Sequence, residues 1–188
     1  MKNLFTSGGK EWKELRDKLS PLFTPCQTKM MFPILTETAD GMIEYLKEPN
    51  TNREIIEIKE MFSSFTTEVV ANVAFGLDIK CIGHPENEFR KATRYTFEPP
   101  FWYNFKIFLI FSMPKIAKFF NMAQNPKFVI DFFTKTARDN LEYREKNNIQ
   151  REDLFQMLMN IKNRGEMTFN ELTLFFRYKL LLVTKLLA

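Results

Sequence analysis

The sequence has few of the residues that build metal sites and disulfide scaffolds. Its 188 residues include two cysteines, Cys26 and Cys81, and one histidine, His84. A structural zinc site needs about four clustered ligands, and a disulfide-stapled domain needs several cysteine pairs. We therefore predict no metal site in this chain, a reducing compartment, and structural thiols at both cysteines. His84 precedes Pro85 and is expected to be a solvated loop residue.

Long runs of one charge and long apolar runs are also missing. The net charge is +4, but the basic residues are interleaved with acids, which argues against a nucleic-acid partner. The nearest candidate for a spanning segment, Phe101 to Met113, contains Lys106 and is shorter than the roughly 20 residues that a spanning helix needs. It is either a buried helix or one that lies at a membrane interface. The first residues turn polar too early for a secretory signal, so we expect neither a signal nor an anchor.

Recognisable catalytic motifs are missing as well. We find no glycine-rich phosphate loop, no Ser-His-Asp set and no distinctive pair of carboxylates, so no active site can be assigned from catalytic motifs alone. Phenylalanine, in contrast, is abundant, with 21 residues against five tyrosines and two tryptophans. Phenylalanine supplies apolar area without a polar group. This excess indicates a large apolar interior, an apolar ligand cavity or a surface that meets a membrane.

The spacing of apolar residues predicts helices along almost the whole chain. The first begins at Gly8 and Gly9 and ends before Pro21, which disfavours helical backbone at the residue before it. The second spans 28–47, with Pro33 in its first turn. The core-facing positions of this second helix are predicted to be Leu35, Ala39, Met42, Ile43 and Leu46.

A third helix is predicted over 57–75, and Gly76 suits a left-handed cap after it. Its apolar stripe contains Phe62, Phe65, Val69 and Val73. Ala71 and Ala74, beside the stripe, leave room for a second helix to approach. Another helix is predicted over 87–97.

Further helices are predicted in the second half of the chain. A short one begins at Pro114, and a long one has Asn125 as its N-cap and Pro126 at its first position. The stripe of the long helix is Ile130, Phe133, Ala137 and Leu141, and that of the next helix is Leu154, Met157, Leu158 and Ile161. Thr168, with Glu171 three residues later, has the pattern of a capping box. The whole pattern indicates one mostly α unit.

Trp12 and Arg16 are four residues apart in the first predicted helix, so they lie on one face. Two interpretations of this pair are open. Trp12 packs and Arg16 is solvated, or Arg16 faces a buried anion.

The segment around this pair resembles the helix C region of the microsomal cytochromes P450, especially the insect detoxification type. The resemblance rests on residues 4–33, LFTSGGKEWKELRDKLSPLFTPCQTKMMFP, with a glycine before W-x-x-x-R, then L-x-P-x-F-T and K-x-M-F-P. Later stretches resemble the family's helices E to H and the approach to helix I. The resemblance covers roughly residues 3–173 and implies a partial P450 fold, helices C to H.

In that family the tryptophan and arginine of W-x-x-x-R bind a haem propionate, and Trp12 and Arg16 are the matching positions here. An arginine stays protonated and binds a carboxylate through its planar fork. The indole adds an N–H donor and a large apolar body that suits the edge of a haem.

The resemblance also implies a substrate or membrane role for the Phe-rich region, 97–120, which corresponds to the roof of the substrate cavity. The candidate contact residues are Phe101, Trp102, Phe105 and Phe108, with ordinary core packing as the alternative for each. Lys10 and Lys13 match the surface that docks NADPH-cytochrome P450 reductase, with simple solvation as the alternative.

The activity that the resemblance implies is a haem-thiolate monooxygenase acting on lipophilic small molecules at the cytoplasmic face of the endoplasmic reticulum membrane. The sequence departs from that family in three respects. It contains neither the F-x-x-G-x-x-x-C-x-G motif of the haem thiolate nor the E-x-x-R pair, and 174–188 does not resemble helix I. We therefore interpret 1–173 as a fragment of a P450 domain and 174–188 as a divergent tail, and we expect this chain alone to be inactive.

Two other interpretations remain. The chain is a non-catalytic helical module that binds a membrane or a protein partner, or it is a product that never folds.

Overall fold

A computed structural model describes residues 9–47, 56–97, 100–113, 126–173 and 175. Within these ranges the regular structure is entirely helical, which confirms the mostly α prediction. The helices are α1 (Gly9–Leu19), α2 (Pro25–Lys47), α3 (Ile58–Val70), α4 (Glu88–Phe97), α5 (Phe101–Ser112), α6 (Lys127–Asn147) and α7 (Leu154–Asn163).

The start of α2 differs from the prediction. A 3₁₀ turn, Ser20–Phe23, follows α1, and α2 already begins at Pro25 instead of residue 28. The Gln27 backbone N–H donates to the Thr24 hydroxyl oxygen at 3.5 Å, and a proline in the first helical turn forfeits no helical hydrogen bond. Pro33 was therefore placed wrongly: it lies inside the helix, where it removes one backbone donor.

A π turn that the sequence pattern did not predict, Ala71–Phe75, continues α3. Gly76 follows it with φ +62° and forms the predicted left-handed cap, its N–H donating to the Asn72 carbonyl at 2.8 Å. Ala71 and Ala74 are buried, and α7 packs against this turn. The prediction that the two alanines admit a second helix is confirmed.

Three phenylalanines form the centre of the core. The ring centroids of Phe75 and Phe89 are 5.4 Å apart, those of Phe89 and Phe133 are 5.4 Å apart, and those of Phe75 and Phe133 are 5.7 Å apart. The cluster joins the π turn to α4 and α6. Most of the predicted stripes of α6 and α7 are buried around it, namely Phe133, Ala137, Leu141, Leu154, Leu158 and Ile161.

A buried ion pair between Arg144 and Asp153 holds the end of α6 against the start of α7. The Arg144 guanidinium donates to both carboxylate oxygens of Asp153, at 3.0 and 2.7 Å, and both side chains are buried. Asp153 also caps α7 by accepting a hydrogen bond from the Gln156 backbone N–H at 2.8 Å. Arg144 further donates to the carbonyl of Phe75 at 3.2 Å, which ties the pair to the π turn.

Gly76 is required at this junction for a second reason besides its φ. A Cβ built on Gly76 would collide with Arg144 Nη2 and Asp153 Oδ2. Arg151 closes the junction from outside, donating to the Gly76 carbonyl and to the Asn72 side-chain oxygen, both at 3.0 Å.

The predicted core-facing stripe of α2 is confirmed only in part. Leu35, Ala39 and Met42 are half-buried. Ile43 and Leu46 are exposed, so the prediction was wrong for these two, and the fully buried residue of the helix is Thr38. On α3, Phe62 is half exposed whereas Val69 is buried. The described part of the chain provides no element that covers the outer face of these two helices.

The remaining predictions for the second half of the chain have mixed outcomes. Pro126 is the N-cap of α6 and not its first residue, because its extended backbone precedes the helix. The capping box is confirmed: the Thr168 N–H donates to Glu171 Oε2 at 2.7 Å, and the Glu171 N–H donates to Thr168 Oγ at 3.3 Å.

The short helix predicted from Pro114 and the divergent tail lie outside the described residues, apart from Phe175. Among the helices described, none is both long and apolar enough to cross a bilayer.

Candidate functional site

Trp12 and Arg16 meet on one face of α1, as their spacing predicted. The Arg16 Cζ atom lies over the indole ring, 4.9 Å from its centroid. A guanidinium in this position is attracted to the ring by about 0.5–1 kcal/mol at an exposed site. Trp12 is half-buried and Arg16 is exposed, so α1 presents the stacked cation at the surface.

Arg16 forms no ion pair with any carboxylate in the described ranges. The Arg16 side chain is therefore exposed to solvent while it is stacked on the indole. Both interpretations from the sequence fit this geometry: the guanidinium is solvated in the chain alone, and its fork is accessible to an anion.

The neighbours of α1 fix the position of this pair. Leu19 and Leu22 are buried just beyond it, and the Ser20 hydroxyl donates to the Arg16 carbonyl at 2.8 Å. Lys18 pairs with Glu171 at 3.3 Å. Burial acts to raise the pKa of Glu171, but hydrogen bonds from Thr168 and Lys18 outweigh burial and lower it. This carboxylate is thus charged at neutral pH and links α1 to the capping box.

The two lysines of α1, Lys10 and Lys13, are both exposed. This exposure is compatible with both alternatives, contact with an acidic partner and simple solvation. Their role in docking a reductase remains a prediction.

The four aromatic candidates of α5 share one exposed face. Phe101 and Trp102 are 77% and 79% exposed, and Phe105 and Phe108 are 54% and 62% exposed. At 3.6 residues per turn, positions i, i+1, i+4 and i+7 fall on one side of a helix. None of the four side chains is buried in the described part of the chain, and their role remains a prediction. We call these four side chains the aromatic face.

The opposite side of α5 packs on the rest of the molecule. The ring of Tyr103 lies 5.6 Å from that of Tyr95 in α4, and Tyr95 contacts Phe128 of α6 at 5.2 Å. Burial, and then the neighbouring Tyr95 phenol, raise the pKa of Tyr103 to about 12. The aromatic face is therefore directed outwards by a helix whose inner side is fixed. No ring contact or cation–π contact joins this face to Trp12 and Arg16 in the described ranges.

Neither cysteine is placed as a thiolate ligand. Cys81 is buried, and its backbone N–H donates to Glu68 Oε2 at 3.0 Å. Burial, and then the Glu68 carboxylate, raise the pKa of Cys81 to about 12 against a partial lowering by Arg90. Because metals bind the thiolate and not the thiol, this side chain is a poor ligand at neutral pH. Cys26 is exposed on α2, and the residues that the structure describes contain no cluster of three or more metal-ligating groups.

Sequence reasoning missed the buried cation Arg90. Its side chain is fully buried in α4, and Nη2 donates to Glu60 Oε2 of α3 at 3.1 Å. One feature of the sequence could have indicated its burial. Arg90 lies between Phe89 and Thr93, which are both buried, so it is on the buried side of the helix. Arginine is so seldom fully buried without a partner that the pattern alone did not reveal it.

Comparison with known proteins adds the family context. The model of the family described as cytochrome P450 matches residues 1–176. Cytochrome P450 6k1 of Blattella germanica is 37% identical over 163 residues, which is 87% of this chain and 31% of that protein. Cytochrome P450 6a2 of Drosophila melanogaster is 30% identical over 171 residues, covering 89% of this chain and 34% of that protein. Cytochrome P450 6A1 of Musca domestica is also 30% identical over 171 residues, with coverages of 87% and 34%. The chain therefore spans about a third of the length of these curated relatives.

Proposed function

This chain belongs to the cytochrome P450 family, and on this premise we propose that it is the part of a haem-thiolate monooxygenase that binds a haem propionate. The parent reaction inserts one atom of O2 into a lipophilic small molecule, either a xenobiotic or an endogenous lipophile. NADPH-cytochrome P450 reductase supplies the electrons at the cytoplasmic face of the endoplasmic reticulum membrane. The observation that carries this proposal is the exposed Arg16 guanidinium stacked on Trp12.

The residues present fit one edge of a haem. A propionate is a carboxylate, and Arg16 offers it an oriented fork with no competing carboxylate in the described ranges. Trp12 adds an indole N–H and an apolar ring beside it. When bound, haem supplies the oxygen-activating chemistry, and a thiolate ligand favours O–O cleavage. The role of this chain's own residues is to hold and orient the propionate.

Titration with two porphyrins tests the propionate contact. We expect Arg16→Leu to weaken haem binding roughly 10- to 100-fold, because a hydrogen bond to a charged group contributes about 1.5–3 kcal/mol. The same substitution should leave binding of haem dimethyl ester unchanged, because the esterified propionates carry no charge. Lys13→Leu, which removes an exposed cation from the same helix, is the matched control. Equal losses for the two porphyrins, or no binding of either by the unmodified chain, would contradict the proposal.

We further propose that this polypeptide alone is inactive. Cys81 is protonated at neutral pH because its pKa is raised to about 12, and Cys26 belongs to an exposed helix start without a metal-binding cluster in the described residues. The reduced chain with haem and carbon monoxide should show no Soret band at the thiolate position. Such a band would refute this part of the proposal.

For the aromatic face we propose contact with the membrane surface or with a lipophilic substrate. The 12 residues of α5 extend only about 18 Å, which suits a helix lying in the interface with its aromatic side chains inserted. This face is also the observation that favours the second candidate function, a non-catalytic helical module that binds a membrane.

Tryptophan fluorescence can separate these uses. In a Trp12→Phe background, Trp102 is the remaining tryptophan, because the chain contains two. A blue shift of its emission on addition of anionic vesicles would support membrane contact, and a shift on addition of a lipophilic ligand alone would support a substrate role. Phe105→Ser and Phe108→Ser together should reduce the shift. Phe32→Ser, at an exposed phenylalanine of α2, should leave it unchanged.

Lys10 and Lys13 are proposed as part of the reductase-docking surface. Replacing both with glutamate should weaken binding to the acidic reductase, most strongly at low salt, because exposed charges are screened over about 10 Å at 0.1 M salt. Lys135→Glu, at an exposed position on α6, is the control. An equal effect of the control would assign the result to net charge instead of this surface.

A further inference from the structure

An ion pair ties α1, the helix that carries Trp12 and Arg16, to a distant part of the chain. Lys18 Nζ donates to Glu171 Oε1 at 3.3 Å, and the two residues are 153 positions apart. Among the side chains of α1 that the structure describes, Lys18 alone forms a hydrogen bond with a described residue beyond the 3₁₀ turn Ser20–Phe23. The pair therefore connects the orientation of α1 directly to the segment around Glu171.

The capping box holds Glu171 in place for this contact. Its Oε2 atom accepts hydrogen bonds from the Thr168 backbone N–H at 2.7 Å and from the Thr168 hydroxyl at 3.0 Å, while Oε1 accepts from Lys18. The next residue, Leu172, is fully buried in the same core cluster as Leu19 of α1. Exposed ion pairs usually contribute little, partly because two long side chains must be ordered. The cap already orders the glutamate, so most of that entropic cost is removed on its side of the pair.

Lys18 and Leu19 hold α1 at two different points of its circumference. At about 100° per residue, Lys18 lies about 160° from Arg16 around the helix, and Leu19 lies about 60° from Arg16. Leu19 is held by burial and Lys18 by its bond to Glu171. Side-chain tips lie about 5–6 Å from a helix axis, so a rotation of α1 by about 20° would move the Arg16 guanidinium by about 2 Å. Because N–H···O distances vary by only about 0.5 Å, the direction of the Arg16 fork depends on both holds.

We propose that Lys18 and Glu171 are positioning residues for a haem propionate, an inference that rests on the function proposed for Trp12 and Arg16. The bond between them holds the back of α1 against the capping box, so that the stacked guanidinium on the front keeps one direction. Arg16 makes the contact with the carboxylate, and the ion pair acts through Arg16.

A direct electrostatic effect of the two charges is the alternative. In that case the two partners would act in opposite directions: removing the Lys18 cation would weaken binding of the anionic propionate, and removing the Glu171 anion would strengthen it. Positioning makes both changes weaken binding, because either one breaks the same bond. The sign of the Glu171 effect therefore separates the two explanations.

Titration of the full chain with haem and with haem dimethyl ester tests the proposal. We expect Lys18→Met and Glu171→Gln each to weaken haem binding by about 2- to 5-fold, the range for an ion pair of this exposure, and to leave binding of the ester unchanged. Glutamine at position 171 still fits a capping box, and Lys18→Arg, which keeps the cation, should retain the affinity. The matched control combines Lys162→Met with Glu145→Gln, which removes an ion pair of 2.9 Å between α7 and α6 with side chains 24% and 46% exposed, and should change neither affinity.

A double variant shows whether the pair acts through Arg16. In an Arg16→Leu background, Glu171→Gln should cause no further loss of haem affinity, whereas independent roles would give additive losses. Stronger haem binding by Glu171→Gln, equal losses for the two porphyrins, or additive losses would overturn the positioning role. A propionate-specific loss in Arg16→Leu with none in Glu171→Gln would overturn the positioning role alone. If Arg16→Leu itself causes no propionate-specific loss, the function proposed for Trp12 and Arg16 fails, and the positioning role fails with it.

Discussion

Removing the charge of Asp153 should destabilise this fold more than any surface change. Asp153→Ser keeps a hydroxyl that can cap α7 but leaves the Arg144 guanidinium, which is 2% exposed, without its two bonds to the carboxylate. Removing one partner of a buried ion pair costs about 3–5 kcal/mol, because the other charge stays buried and unpaired. Since domains are stable by only about 5–15 kcal/mol, this single change should remove a large share of the free energy of unfolding.

Urea denaturation followed by far-ultraviolet circular dichroism measures the loss, and a double-mutant cycle identifies its cause. Arg144→Met should also destabilise the chain, since it leaves Asp153 buried with the half-exposed Arg151, 3.5 Å away, as its remaining cation. The double variant buries no unpaired member of the ion pair. We expect its loss to be smaller than the sum of the single losses by about 0.5–3 kcal/mol.

Glu166→Ser is the surface control for this experiment. It breaks an ion pair with Arg164 of 2.7 Å in which both side chains are at least half exposed, and such pairs contribute about 0–1 kcal/mol. The reasoning is refuted if Asp153→Ser costs no more than this control. It is also refuted if the losses of Asp153→Ser and Arg144→Met add in full.

Three further predictions concern single side chains. Gly76→Ala should destabilise the chain more than Gly165→Ala in the same urea assay: both glycines have positive φ, but only at Gly76 would the new Cβ strike the buried ion pair. The pKa of the Glu171 carboxyl is lowered in the folded chain, so the carboxylate stabilises the fold at pH values above its usual pKa of 4.5, and this contribution disappears as the pH falls through the folded pKa. Glu171→Gln should therefore flatten the acid side of the curve of stability against pH. An unchanged curve would contradict this prediction. A thiol reagent at neutral pH should label exposed Cys26 and spare Cys81, which is buried with its pKa raised to about 12, until urea unfolds the chain.

The features that could be predicted from the sequence depend on local spacing. The stripes of α6 and α7, the Gly76 cap and the capping box at Thr168 involve residues within one or two helical turns. The pairing of Trp12 with Arg16 is of the same kind, because two residues four apart on a helix meet whatever the rest of the fold does.

Features that join distant segments could not be predicted in this way. Arg90 and Glu60 are 30 residues apart, and the Asn140 and Arg144 side chains reach the carbonyl of Phe75, 65 and 69 residues away. Charged and amide side chains are normally exposed, so the sequence alone assigns each of these residues to the surface until a tertiary partner is known. The early start of α2 was missed for a different reason. Pro25 and Pro33 both suit a first helical turn, and the bond from the Gln27 N–H to the Thr24 hydroxyl at 3.5 Å accompanies the start at Pro25.

The exposed outer face of α2 and α3 shows the limit of predicting burial from the spacing of apolar residues. Phe32, Ile43 and Phe62 are 63%, 43% and 50% exposed, although the spacing of Ile43 and Phe62 predicts buried positions. Burying a side chain of this size stabilises a fold by about 1.5–3 kcal/mol, and a helical apolar stripe is maintained where such burial takes place. The spacing of Ile43 and Phe62 therefore identifies residues that share a helical face, but it does not determine whether that face is buried, because burial depends on what packs against it.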